Sequence, residues 1–241
     1  MPQTIVFIGA TSTIAQPCID SCLAQGKHVT LLGRDTALLT TLSQRVNMPM
    51  HVLDCSDIDA VSQCFLAIQQ THTIEAVVCF VGSFMLKPAH LLTSKDWEKT
   101  IATNLTSAFA AVHAGTKAML KTGGNIILLT SAVADIGLLN HEAISAAKAG
   151  VIGLAKAAAA TYAASGIRVN CVAPGMVRSK LSERILANPQ GREISLRAHP
   201  LGRVGEPDDV AQVINMLLRS SWITGEVIKV DGGLSTCKIV K

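Results

Sequence analysis

Aromatic residues make up only 3% of the 241 residues, and Tyr162 is the single tyrosine. So few stacking side chains, with lysines and arginines not gathered into runs, argue against nucleic acid as a partner. The formal net charge of +4 is too mild to change that. The seven cysteines contain no Cys-x-x-Cys pair, and no nearby histidine completes a metal site with Cys18 and Cys22, which are one helical turn apart. No metal site is therefore expected, and the thiols read as reduced core residues of a cytoplasmic protein. Charged residues reach 16% against 49% hydrophobic ones, a balance that excludes a disordered chain. No uninterrupted apolar run attains the roughly 18 residues of a membrane span, so no membrane partner is expected. Nor does the start of the chain carry a basic segment followed by a cleavable apolar stretch, so no export signal is expected.

What the chain does have is alternation. Apolar strand-like runs recur at 4–9, 28–33, 49–53, 75–81, 125–130, 167–172 and 226–230, with segments of helical period between them. This pattern predicts an α/β fold: a Rossmann-type doubly wound parallel sheet of about seven strands, with helices on both faces, in a single domain over 1–241. Strands buried on both faces account for the high hydropathy. Ser56 with Asp59 and Thr93 with Asp96 fit capping boxes, and Pro207 fits a helical first turn. Gly26, Gly123 with Gly124, and Gly166 fit helix stops. The segment 178–205 is polar, contains Pro189 and Gly191 and shows no clean period. A long irregular insert of this kind is expected to be a substrate lid.

The first strand runs into Gly9-Ala10-Thr11-Ser12-Thr13-Ile14-Ala15 and then a helix. A glycine at such a turn lets the backbone approach a pyrophosphate, and the helix start offers N–H groups and a positive dipole. Gly9, Ser12 and Ile14 are the expected contacts, although an ordinary tight turn is the alternative. The second strand ends at Arg34, which favours a 2′-phosphate and hence NADP over NAD; a solvated surface arginine is the plainer reading. The third strand ends at Asp54-Cys55, where Asp54 either accepts from an adenine amino group or caps a turn.

In its second half the chain carries Gly166-Ile167-Arg168-Val169-Asn170, Pro174-Gly175-Met176-Val177-Arg178-Ser179, Pro200-Leu201-Gly202-Arg203 and Val230-Asp231-Gly232-Gly233. With these blocks in order, the chain resembles the short-chain dehydrogenase/reductase family over essentially its whole length. It is most similar to the β-ketoacyl-carrier-protein reductase branch. The resemblance implies a nicotinamide cofactor, a small-molecule or carrier-bound substrate, and a homo-tetramer or dimer formed partly by the long helices. It assigns the nicotinamide pocket to Pro174 and Gly175, and the carboxamide to the Val177 backbone and the Ser179 hydroxyl. It also makes Asn104 the residue that orders a relay water, Ser131 the group that polarises substrate, and Lys148 the group that bonds the nicotinamide ribose.

Three departures stand against this pattern. Thr13 and Ala15 replace two glycines of the phosphate turn. Cys79-Phe80-Val81-Gly82 replaces Asn-Asn-Ala-Gly, leaving Gly82 as the matching cofactor contact. Ile144 replaces the tyrosine that gives up a proton, four residues before Lys148. Tyr162 is fourteen residues past Lys148, about 21 Å along a helix, and cannot substitute. His141, seven residues before Lys148, has the register of the tyrosine in the enoyl-carrier-protein reductase branch, and histidine is an acid near neutral pH. A capping or packing histidine is the alternative, and Glu142 reads as solvated. Lys180, Arg184, Arg192, Arg197 and Arg203 form either a basic rim for a phosphorylated or carrier-bound substrate or a solvated, salt-bridged face. The resulting expectation is an NADP(H)-type oxidoreductase of a carbonyl or activated double bond with a non-standard proton donor. The alternative is a catalytically impaired member that binds nucleotide weakly or serves as an oligomer partner.

Overall fold

The computed structural model describes residues 1–237; positions 238–241 of the expected domain lie outside the described residues. The strands are β1 (Gln3–Ile8), β2 (His28–Gly33), β3 (Met50–Val52), β4 (Thr73–Cys79), β5 (Gly124–Leu129), β6 (Ile167–Pro174) and β7 (Val227–Val230). They form one sheet in the order β3-β2-β1-β4-β5-β6-β7, and every pairing is parallel. The winding direction reverses between β1 and β4, which opens a crevice beyond their carboxyl ends.

The helices are α1 (Ala15–Ala24), α2 (Thr36–Val46), α3 (Ile58–Ile68), α4 (Ser94–Ile101), α5 (Ser107–Met119), α6 (Glu142–Tyr162), α7 (Glu183–Ala187), α8 (Pro189–Ala198) and α9 (Pro207–Arg219). Successive strand residues alternate between two cores, as the pleat requires. Ile5 and Phe7 of β1 pack with Ile19, Leu39 and Ile214 from α1, α2 and α9. Val6 and Ile8 pack with Phe65, Ala111 and Val151 from α3, α5 and α6. Each of the larger of these side chains, once removed from water, contributes about 1.5–3 kcal/mol.

By length and composition alone, Glu142–Ser165 would pass as a membrane span. Counting uninterrupted apolar runs misses it because Lys148 and Lys156 break the run. In the fold it is a layer helix, with Ala147, Val151, Ala155 and Ala158 buried on its sheet-facing side.

Local signals mostly act as expected. Thr93 and Asp96 form a reciprocal capping box, each side chain accepting the other's N–H at 3.1 Å, and Pro207 opens α9. Gly26, Gly123 and Gly166 end helical segments with φ of 72°, 68° and 70°. The Ser56–Asp59 box does not form. Asp57 caps α3 by accepting the Ala60 N–H at 2.9 Å, and Ser56 turns back to Asp54; a carboxylate one residue nearer the helix wins the cap. The segment 178–205 is also less irregular than expected, since it holds α7 and α8. Asn188 caps α8 by accepting the Gly191 N–H at 3.1 Å, with Pro189 at its first turn. Ser195 is the only buried residue of α8, so no apolar stripe marked the helix in the sequence.

Candidate active site at the strand ends

A cleft of about 720 Å³ lies along the carboxyl ends of the strands. Its nucleotide end is built on Gly9, whose φ is +75°. A Cβ there would stand 3.0 Å from Val81 Cγ2 and 3.1 Å from the Val81 nitrogen, so only glycine lets the turn sit this close to the chain after β4. α1 starts without a side-chain cap at Ile14; the Ala15 N–H donates to the Ser12 carbonyl at 3.0 Å and Pro17 has none, so Gln16 carries the first-turn N–H left for an anion. The Ala15 methyl is fully buried in the core beside α1. Thr13 borders the cleft, and its Oγ1 accepts the Lys180 N–H at 3.4 Å.

Ser12, Arg34, Asp54 and Cys55 line the same end. Arg34 is exposed and has no ion-pair partner among the described residues. Asp54 accepts the Ser56 N–H at 2.9 Å and its hydroxyl at 2.8 Å. These bonds, with a smaller pull from Arg34, hold its carboxyl below the usual range. Asp54 thus caps the turn before α3 while bordering the cleft. The Cys55 thiol is pushed up to about 12, chiefly by burial, and stays protonated.

At the other end Pro174 closes β6. A Cβ on Gly175 would lie 2.6 Å from His199 Nε2, so glycine is required by packing there. Val177 makes a parallel bridge to Gly205 through its neighbours' peptide groups. Its own N–H and carbonyl therefore face the other way, where the carbonyl accepts the Ser182 hydroxyl at 2.6 Å. The Ser179 and Ser182 hydroxyls are 3.2 Å apart.

The middle of the cleft holds Ser131, His141, Ile144 and Lys148 together. Ser131 follows β5, and its Oγ accepts the Val133 N–H at 3.4 Å. Lys148 is buried on α6 and donates to the Leu129 carbonyl at 2.9 Å. Burial lowers its ammonium to about 8, partly opposed by the Cys79 and Cys171 thiols. His141 is the N-cap of α6 rather than a residue within it. Its Nδ1 lies 2.7 Å from the Leu139 carbonyl. A carbonyl only accepts, so Nδ1 carries the hydrogen and Nε2 is the free atom. Glu142 is exposed and accepts the Ala89 N–H at 3.3 Å.

Asn104 is not brought into the cleft. It is 1% exposed within a π-helical turn, Ala102–Thr106, between α4 and α5. Its Oδ1 accepts the Ser83 N–H at 3.0 Å, and its Nδ2 donates to the Ser83 hydroxyl and the Thr100 carbonyl, both at 2.9 Å. Its side chain ties the helix to the loop after β4. Gly82 lies against this pair: a Cβ there would be 3.4 Å from Asn104 Oδ1 and 3.5 Å from Lys148 Nζ. Tyr162 stands at the far end of α6, packed against the core.

Sequence reasoning missed Ser83 and the Leu129 carbonyl, and neither has a residue-type signal. Of the basic rim, Arg197 pairs with Glu193 and Arg203 with Asp209, both at 2.6 Å. Lys180 lines the cleft, which among the described residues holds Arg34, Lys99, Lys148 and Lys180 against one carboxylate, Asp54. That balance suits a phosphorylated, anionic ligand. The glycine turn, the start of α1 and the basic lining fit a dinucleotide.

The fold and cleft define a doubly wound, nucleotide-binding α/β domain. The family profile described as Enoyl-(Acyl carrier protein) reductase matches residues 9–235. The chain is 32% identical over 240 residues to carbonyl reductase family member 4 of Danio rerio, covering 97% of this chain and 98% of the relative. It is 39% identical over 244 residues to 3-oxoacyl-acyl-carrier-protein reductase FabG of Chlamydia pneumoniae, covering 97% of both. A short-chain type dehydrogenase/reductase from Mycobacterium ulcerans superposes with a TM-score of 0.92 at 26% identity, over 97% of this chain and 90% of that one. The chain belongs to the short-chain dehydrogenase/reductase family of oxidoreductases, close to its FabG-type members.

Proposed function

We propose that the protein is an NADPH-dependent reductase of a carbonyl or activated double bond, working without a tyrosine acid. The observation that carries this reading is that Ser131, His141 and Lys148 line one cleft with the Gly9 turn and Arg34. Gly9, Ser12 and the start of α1, with Ile14, receive the pyrophosphate, and Arg34 pairs with the 2′-phosphate. Asp54 and Cys55 border the adenine, Gly82 and Pro174 the nicotinamide side. The Val177 N–H and Ser179 hydroxyl hold the carboxamide over Gly175. Lys148, with one N–H spent on Leu129, turns its remaining donors to the ribose. The bound cofactor supplies a hydride. Ser131 polarises the substrate oxygen, and His141 in its imidazolium form gives up the Nε2 proton, leaving the neutral ring with its hydrogen on Nδ1 toward the Leu139 carbonyl. Asn104 supports the site from behind, through Ser83.

The segment 178–205 acts as the substrate lid, and its basic residues suit a carrier-bound or phosphorylated substrate. Trp97 and Phe109, 45% and 42% exposed on α4 and α5, favour a homo-oligomer joined along these helices. Six of the seven cysteines are buried and none is paired, in keeping with a cytoplasmic setting.

NADPH and NADH titrations followed by thermal melts test the reading. Binding raises the melting temperature by mass action, and NADPH should do so at the lower concentration. No response to either at millimolar concentration overturns it.

A second reading is a member that binds nucleotide without turnover. Ile144, 5% exposed at the tyrosine position, favours it, as does the complete engagement of the Asn104 side chain by Ser83 and Thr100. Binding of NADPH with no reduction of any carbonyl or enoyl thioester is its signature.

A further inference from the structure

Thr13 occupies a glycine position of the phosphate turn, and its hydroxyl does what a glycine cannot. By accepting the Lys180 N–H at 3.4 Å, it joins the turn after β1 to residues 167 positions away. The Lys180 segment is held from its own side as well. Arg178 donates its N–H to the Gly205 carbonyl at 2.8 Å. The Ser179 N–H meets Ser182 Oγ at 3.0 Å, and that hydroxyl donates to the Val177 carbonyl at 2.6 Å. Residues 177–182 are therefore a fixed turn rather than a loose strap.

This turn places Lys180 on the cleft wall with Ser12, Thr13 and Ser179. Lys180 is exposed, and no carboxylate pairs with it among the described residues. Its neighbour Arg178 is different, tied to Glu206 at 3.0 Å. The one acidic side chain lining the cleft among the described residues, Asp54, is bonded to Ser56. A free ammonium thus borders the cleft close to the uncapped start of α1.

We propose that Lys180 is the counter-charge for the nicotinamide-side phosphate of the cofactor, held in place by the Thr13–Lys180 bond, which latches the lid segment to the phosphate turn. This rests on the nucleotide-binding reading above. Lysine suits the task as a compact point charge that needs no planar match. The two unusual features then belong together: the side chain that cost the turn a glycine positions the cation that makes up for the loss. The nicotinamide-side phosphate follows from Lys180 sharing its turn with Val177 and Ser179.

The test compares NADPH with 2′,5′-ADP, which lacks that phosphate, by calorimetric titration. Lys180→Gln should weaken NADPH about tenfold while leaving 2′,5′-ADP within about twofold, and Lys180→Arg should recover most of the loss. Thr13→Val should weaken NADPH by about threefold and speed amide exchange across 178–182; combined with Lys180→Gln it should add little, because the two act as one unit. NADPH affinity unchanged in Lys180→Gln, or an equal loss for both ligands, overturns the latch. Wild-type protein that binds neither ligand overturns the nucleotide reading instead.

Discussion

Lys148 Nζ donates to the Leu129 carbonyl at 2.9 Å, and no carboxylate pairs with it among the described residues. Burial lowers the ammonium from 10.5 to about 8, with the nearby thiols of Cys79 and Cys171 opposing. Between those values the unfolded chain binds more protons at this site than the folded one, so stability rises with pH. The charge on Lys148 therefore costs stability at pH 7, and the cost fades as pH climbs to 10.5. Wild type should gain on Lys148→Met by up to about 3 kcal/mol between pH 7 and pH 10.5. Denaturant titrations of both proteins at the two pH values measure this; a difference that does not move with pH removes the desolvated ammonium from the site.

Arg34 is an exposed guanidinium at the nucleotide end, with no ion-pair partner among the described residues. Arg34→Ala should weaken NADPH about ten- to a hundredfold and leave NADH within about twofold, since only the former has a 2′-phosphate for a bidentate pair. The effect should shrink at high salt. Equal losses for both cofactors would place Arg34 outside the phosphate site.

Ile144 stands in the cleft beside Lys148, Ser131 and His141. Ile144→Tyr should raise reduction of an acetoacetyl thioester about 10²- to 10³-fold, the usual scale of a positioned acid. His141→Ala should lower turnover in the wild-type background and matter little once the tyrosine is present. If Ile144→Tyr binds NADPH but gains no rate, the cleft no longer holds a carbonyl in reach.

Gly175 leaves room for His199, which is 3% exposed. That imidazole accepts the Met176 N–H at Nε2, 3.0 Å away, and its Nδ1 donates to the Ser195 carbonyl at 2.6 Å. Gly175→Ala would drive a methyl to within 2.6 Å of Nε2. Losing both bonds and the packing should cost about 2–4 kcal/mol in denaturant unfolding. Gly137→Ala, with nothing within 4 Å of its Cβ, is the control and should change little.

The sheet was legible because the strands are largely apolar runs set between segments that repeat at 3.6 residues. Arg34 could be placed because strand ends in a doubly wound sheet converge on one crevice, and Ser131 and Lys148 through the resemblance to the short-chain dehydrogenase/reductase family. Other features had no such marker. Asp57 displaced Ser56 at a cap that both residue types can make. The helices in 178–198 bury too little to imprint a period. The bonds from Asn104 to the Ser83 N–H and the Thr100 carbonyl, and from Lys148 to the Leu129 carbonyl, engage main-chain atoms, which carry no residue identity. The contact of Thr13 with Lys180 depends on how two distant loops meet.

The cysteines carry a consequence of their own. Cys18 and Cys22 sit in the layer under α1, whereas Cys55, Cys64, Cys79 and Cys171 sit in the opposite layer. Burial pushes Cys22 and Cys64 up to about 11 and Cys171 up to about 12, so in the native state these thiols resist alkylation. Cys237 alone is exposed. The chain therefore contains a set of internal reporters, one group for each side of the sheet. Peptide-resolved counting of alkylated thiols during partial denaturation would show which layer opens first, without adding any label to the protein.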